Sequence, residues 1–398
     1  MAETVPTCKI YRKFPDDIYP EIECENTAHP GDPDEFCILH SQNKLKDQDA
    51  FNEALLARWN QEGREFYDFR GVFFPDLFNP LYLFGSLKFE KPINFSRASF
   101  TGGVYFYQAS FAKEADFTGV SFSGEAYFVW ASFSGEVDLR GATISGRVSF
   151  ITIELPFIAD FSDLKFQENG VLRFQDMSLA HVRFAGTDLR RPEFHHVTWH
   201  PYRGRQALYD EVLLRQRELS LAKKILIFTG LVKPPVQPPP TAYYYSVVER
   251  LYRNLQVNYE GVNDYKSSGD FHYGEMEMHR RASKWRWFPL YWYNLYKLSS
   301  GYGERPLRAV LVLGGLLLVF SLVLLGLEHI PDVPDKWSWA GFWQALLYVF
   351  QQGTLQKPDW LKPATAGGKF LSAFMPVLIP GQAALFFLAL RNRLGRRR

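Results

Sequence analysis

Cysteine is scarce in this chain. Only three occur in 398 residues, Cys8, Cys24 and Cys37. An odd number confined to the first forty residues argues against a secreted disulfide framework. Charge imbalance is lacking too. The 45 Lys and Arg against 43 Asp and Glu leave a net charge of +2, so nothing drives the whole chain toward nucleic acid. The opening Met-Ala-Glu-Thr-Val-Pro carries no basic-then-apolar leader, and a cytosolic N-terminus is expected. No Gly-x-Ser-x-Gly, His-Glu-x-x-His or phosphate-cradling loop occurs, so no enzymatic activity is expected.

Aromatic residues, at 17%, are abundant, and part of them fall on a beat. Phe95, Phe100, Phe106, Phe111, Phe117, Phe122, Phe128, Phe133, Leu139, Ile144 and Phe150 are spaced five and six residues apart in alternation. Two positions before each stands a small or aliphatic residue, from Ile93 and Ala98 through Ala142 and Val148. Neither a helix nor a flat strand has that period. One large and one small apolar residue per short unit predict a coil with flat faces. The large residue stacks inside on its counterpart one coil away, the small one sits inside near a corner, and the polar residues between face water. Glycines at 102–103, 124, 135 and 146 fall at the longer units and suit an expanded corner. The beat is disturbed near Pro156 and resumes through Phe174, Phe184, Phe194 and Trp199, giving about six coils spanning about 30 Å at ~4.8 Å each.

This pattern resembles the pentapeptide-repeat family, in a variant with one extra residue in every second unit. The resemblance implies a right-handed quadrilateral β-helix over residues 66–200, followed by an α-helical region and a two-helix transmembrane module, a mixed class overall. Repeat proteins of this kind serve as scaffolds, DNA mimics and tethered sensors. DNA mimicry needs a dense anionic stripe. Residues 93–200 carry twelve acidic and nine basic side chains, which gives that role little support.

Residues 1–48 are polar and turn-rich and hold every cysteine. Cys37-Ile-Leu-His40 is a Cys-x-x-His spacing that brings two ligands to one ion from a tight turn. Cys8, Cys24, Cys37 and His40 make the four-ligand set expected of a structural zinc site, with His29 a spare candidate. Similar Cys/His segments also precede the repeats in proteins that this chain resembles. Residues 49–65 read as an amphipathic helix, with Phe51, Leu55 and Trp59 on one side and Asp47 as its cap, placed to cover the open end of the coil.

After the coil, 203–240 reads as a helix from Gln206 to Phe228 and a stiff proline linker, and 241–300 as a helical hairpin with breaks at Asn263-Asp264 and 267–270. His195, His196 and His200, and Glu275, Glu277 and His279, are read as ordinary surface and packing residues rather than metal ligands. The membrane module, 301–398, contains two apolar stretches long enough to span a bilayer, 307–327 and 370–390. Between them, 337–350 is too short to cross and is read as re-entrant or interfacial. Arg308 before the first span, and Arg391 and Arg393 after the second, anchor the spans with both termini in the cytoplasm.

Span, short helix, polar stretch, span resembles the pore module of two-transmembrane cation channels. Gln351, Gln352, Gly353 and Thr354 would be the pore loop. They lack a Thr-Val-Gly-Tyr-Gly-like run, so a selective potassium channel is not expected. Gly301-Tyr302-Gly303 looks like a filter but precedes the first span, and is read as a turn. The expected function is a scaffold or sensor, held in a bacterial inner membrane, whose cytosolic β-helix binds a protein partner. The alternative is an oligomeric channel-like pore gated by the β-helix. Both readings include the lipid bilayer and self-association as partners.

Overall fold

The computed structural model describes residues 8, 24, 26–29, 32–218, 241–288, 290–327, 337–356, 358 and 360–394. The expected helix beyond residue 218 and the proline linker at 234–240 lie outside the described residues. Contacts divide the chain into two units, residues 1–240 with 250–258, and residues 241–249 with 259–398.

The first unit is a β-solenoid of about six turns with four faces. The longest ladder pairs Tyr67–Asp68, Ile93–Asn94, Ala115–Asp116, Val137–Asp138, Ala159–Asp160 and Val182–Arg183, all parallel. The register Ile93↔Ala115↔Val137 sets a coil of 22 residues, two five-residue and two six-residue units. Other ladders follow from Phe73–Phe74, from Val104–Tyr105 and from Lys88–Phe89. The fourth face holds only three strands. Its next pairing is the single bridge Ser132↔Glu154, where Pro156 interrupts the beat.

The inside is built as the spacing predicts. Phe95 stacks on Phe117 at 5.4 Å between ring centroids, Phe111 on Phe133 at 4.7 Å and Phe128 on Phe150 at 4.6 Å. Rings in neighbouring columns meet edge to face, as Phe117 does with Phe128. The small residues Ala98, Ala109 and Ala126 are fully buried beside them. Glycine at the longer corners has a sharper cause than an expanded turn. A Cβ on Gly124 would lie 2.1 Å from the Gly102 carbonyl oxygen, and one on Gly146 would lie 2.1 Å from that of Gly124. The obstacle is the backbone of the preceding coil, which cannot step aside. Gly124→Ala is therefore expected to lower stability by about 3 kcal/mol, read from the denaturant midpoint, whereas Gly141→Ala meets no atom and costs only its strained φ of +66°.

Both ends of the stack are covered. At the N-terminal end lies helix Gln48–Trp59, whose cap Asp47 accepts from the amides of Asp49 and Ala50. It ends six residues before the expected limit of 65. Trp59 stacks on Tyr67 at 4.1 Å and on Phe84 at 4.4 Å, and Phe51 meets Phe74 edge on. At the other end the β structure runs past residue 200. His200–Tyr202 and Arg205–Ala207 form an antiparallel pair around Arg203 and Gly204, both at positive φ, as a two-residue hairpin turn requires. The helix expected from 206 therefore starts later, at Tyr209–Arg217. Residues 250–258 close this end. Tyr252 donates to the buried Glu211 carboxylate, and Asn258 Nδ2 lies within bonding distance of the carbonyls of Leu189, Arg190 and Pro192.

Asp210 is sealed beneath this cap, accepting from the Phe184 amide at 3.0 Å. Burial pushes its carboxyl up to about 6. The folded pKa lies above the unfolded one, so the stabilisation is complete below about pH 4 and is lost as pH rises through 6. Lowering the pH from 7 to 5 is expected to stabilise the chain by about 1 kcal/mol through this group. Asp210→Asn should remove that increment from denaturation curves recorded at the two pH values.

The second unit is helical. Ala242–Gly261 and Tyr265–Ala282 form the expected hairpin, with Asp264 capping the second helix through Ser267. The other expected break, at 267–270, is absent. Ser268 hydroxyl bonds Glu260 and Phe271 packs on Tyr259, so the helix runs through. Then come Trp292–Ser300, Pro306–Leu327, Trp339–Gly353 and Ala366–Leu394. Two of these are long and apolar enough to cross a membrane. Pro306–Leu327 is about 33 Å long at ~1.5 Å per residue. Ala366–Leu394 passes through Pro376 and Pro380 without ending. The two run antiparallel, with Asn392 donating to the Gly303 carbonyl. Leu324, Leu325, Tyr348, Val349, Met375 and Ile379 form their shared core with the short helix.

Candidate metal centre and a buried charge cluster

Cys8, Cys24, Cys37 and His40 converge. Their ligand atoms all lie within 4.8 Å of one another, and all four residues are buried. Cys24 Sγ is 3.7 Å from Cys37 Sγ, and His40 Nδ1 is 3.1 Å from Cys37 Sγ and 3.4 Å from Cys8 Sγ. Sulfurs around a tetrahedral ion with bonds of about 2.3 Å sit about 3.8 Å apart, which the Cys24–Cys37 separation matches. No disulfide joins them. His29 does not join the cluster.

The surroundings orient the ligands. His40 Nε2 lies 3.1 Å from the Arg70 carbonyl, so Nε2 carries the hydrogen and Nδ1 is left free as a ligand. The Cys37 amide donates to Cys8 Sγ at 3.2 Å and Arg58 donates to Cys24 Sγ at 3.4 Å. Arg58 also donates to the carbonyl of Asp68, whose carboxylate takes a two-pronged contact from Arg70 and another from Arg64. Without an ion the proton distribution is uneven. The hydrogen bond from Cys24 first, and that from Cys8 next, hold Cys37 well below the usual thiol range. Burial lowers the His40 value, but the Cys37 and Cys8 sulfurs outweigh it and bring it to about 9. A metal ion entering this cluster must displace those protons.

The cluster is built into the solenoid end. The Phe73 amide donates to the Leu39 carbonyl at 2.9 Å. Lys46 Nζ donates to the carbonyls of Ile38, Ser41 and Phe73, and lies 4.1 Å over the Phe51 ring. Its donors thus tie the Cys-x-x-His turn to the first coil, and its place over the Phe51 ring adds the capping helix. Sequence reasoning missed Lys46, Arg58 and Arg70. Lys46 reaches the Phe73 carbonyl and Arg58 the Cys24 sulfur, contacts far along the chain that no local spacing announces, while Arg70 pairs with Asp68 only two residues away.

A second cluster lies in the helical unit. Glu277 is buried and pairs with Arg280, Arg281 and Lys297 at 2.8, 2.9 and 3.0 Å. It also accepts from the Tyr302 hydroxyl at 3.0 Å. Burial raises its carboxyl, but the Arg280 bond and the three cations outweigh that and hold it well below the usual carboxylate range. Gly301-Tyr302-Gly303 is a turn as expected, with all three residues at positive φ. Tyr302 accepts that unfavourable conformation with its ring buried and its hydroxyl on Glu277. Glu275, Glu277 and His279 do not converge; His279 faces Glu249 at 3.2 Å. His195, His196 and His200 likewise form no metal-holding group among the described residues. His196 faces Asp176 and His200 faces the Ala180 carbonyl.

The expected pore-loop residues do not form an extended loop. Gln351, Gln352 and Gly353 are the last turn of helix Trp339–Gly353 and Thr354 is its cap. Gly353 packs so closely on Ile379 that a Cβ would come within 2.5 Å of it. Gln351 accepts from the Trp360 ring nitrogen, and Gln352 donates to the Tyr348 hydroxyl. Arg308 donates to the Lys297 carbonyl, and Arg391 and Arg393 are exposed in the last turn of Ala366–Leu394.

Residues 84–128 and 106–151 match the family described as pentapeptide repeats (9 copies). With the four-faced coil, that match defines a pentapeptide-repeat β-solenoid, an architecture that supports a scaffold or protein-interaction role. No curated protein and no solved structure gives a match to the chain.

Proposed function

We propose that this chain is a membrane-anchored scaffold, in which a solenoid that binds a protein partner is tied to a bilayer by two helices and performs no catalysis. One observation carries the reading. In the most apolar stretches of Pro306–Leu327 and Ala366–Leu394, only 17% and 22% of the residues are buried, leaving side chains such as Leu311, Val319 and Val377 exposed. In water such a surface aggregates; against lipid it is ordinary. The antiparallel packing brings Arg308 to the same end as Arg391 and Arg393, which supports both termini on the cytoplasmic side of a bacterial inner membrane. Cys8, Cys24, Cys37 and His40 fit a structural zinc ion, bound by three thiolates and one imidazole. Four protein ligands close its coordination, so the ion would supply a cross-link rather than chemistry. Its net charge of −1 would be offset by Arg58, which donates to the Cys24 sulfur. The test is alkaline extraction of membranes from cells making the full chain. The scaffold reading expects the protein in the pellet, and release into the wash would sink the anchor.

A channel-like oligomer is the second reading. Its support is the packing of Trp339–Gly353 against both long helices, the arrangement of a pore helix. Ion flux from vesicles carrying the purified chain, together with its oligomeric state, separates the two. A conducting ring favours the pore, and a monomer removes it.

A further inference from the structure

Helix Trp292–Ser300 is inside out. Its exposed positions are Trp292, Leu295 and Leu298, at 57, 45 and 67%, spaced three apart on one face. Its inward side carries the polar residues: Asn294 bonds Arg280 and the carbonyls of Arg286 and Phe288, Lys297 pairs with Glu277, and Ser300 is fully buried. A helix packed on a protein in water shows the opposite arrangement. The preceding segment continues the exposed apolar surface with Trp285, Phe288 and Leu290. From 280 to 308 the chain has seven Lys and Arg residues against Glu304 alone; Arg280, Arg281 and Lys297 pair with Glu277 and Arg305 lies 4.0 Å from Asp270, while Lys284 and Arg308 are exposed beside the face. The face ends at Gly301, and the long apolar helix begins five residues later at Pro306.

We infer that residues 285–298 lie in the headgroup layer of an anionic bilayer, as a third membrane contact beside the two long helices. Tryptophan and leucine enter the acyl boundary, while the exposed Lys284 and Arg308 meet lipid phosphates. The charge excess and the continuity with Pro306 favour lipid over a second copy of the chain. This inference rests on the membrane reading proposed above.

The test uses the full chain in vesicles of phosphatidylcholine and phosphatidylglycerol, with and without bromine on the acyl chains. Bromine quenches tryptophans that touch them. The expected result is that Trp285→Phe with Trp292→Phe, which keeps ring bulk, loses part of the wild-type quenching. That lost part should fall by about half when the anionic lipid is omitted. Unchanged quenching in the double variant overturns the inference, while the quenching that remains, from tryptophans such as Trp339 and Trp343, leaves the membrane reading standing. A difference that disappears at one chain per vesicle assigns the face to a second copy and also overturns it. No quenching of any variant, with release of the chain by alkaline wash, overturns the membrane reading itself.

Discussion

Cys37→Ala is expected to leave the purified chain without zinc, against one equivalent in the wild type. Cys37 is the hub of the cluster. Its sulfur meets Cys24 and His40, its amide donates to Cys8, and its carbonyl receives the amides of His40 and Ser41. Alanine keeps that amide and carbonyl, so the substitution leaves the turn in place and takes away one of the four ligands. Structural zinc contributes on the order of 10 kcal/mol to small domains that fold around it. The loss here should be local, because the phenylalanine columns hold the coils below. Limited proteolysis should therefore cut the variant before about residue 60 and spare the solenoid. Metal analysis of the wild type decides the premise, since a zinc-free protein that resists proteolysis would remove the zinc reading.

Glu277→Leu is expected to cost about 4 kcal/mol, seen as a lowered melting point of the full chain in detergent. The side chain removed is the shared partner of Arg280, Arg281, Lys297 and Tyr302, so the variant keeps three cations around a site with no anion. The penalty comes from what is left behind rather than from the lost attraction. Replacing Arg280 and Lys297 by Met in the same chain should recover part of the loss. Strictly additive losses would show that the cluster is not coupled. The same variant tests the link between the hairpin and the membrane entrance, because Glu277 and Tyr302 belong to different elements.

Some of this was visible in the residues and some was not. The alternating five-and-six beat predicts flat faces and stacked columns, the four-sided coil comes with the resemblance to pentapeptide repeats, and the 22-residue turn is read from the strand register. Cys-x-x-His with two earlier cysteines gave the ligand set. Glu277 with Arg280 and Arg281, at i+3 and i+4, has a helical ion-pair spacing, and the sequence reading of solvated face plus packing does not say which of these side chains is buried. What buries Glu277 is Lys297 and Tyr302, one from the next helix and one from the following turn. That residues 351–353 end a helix rather than form an extended loop was not legible, because an apolar run gives no sign of where a helix stops. Gln351 to Gly353 stay helical because the packing of Gly353 on Ile379 favours another turn.

The sequence by itself determined the repeat, because each coil repeats the same local choice of large, small and polar residue, and stacking rewards every repetition alike. It also determined which helices are apolar and which residues could bind a metal. Only the tertiary structure decided what the ends of the solenoid rest on and which charges are buried. Lys46 on the Phe73 carbonyl, Arg58 on a sulfur and Tyr302 on Glu277 are single long-range contacts without period, and chain folding alone brings such partners together.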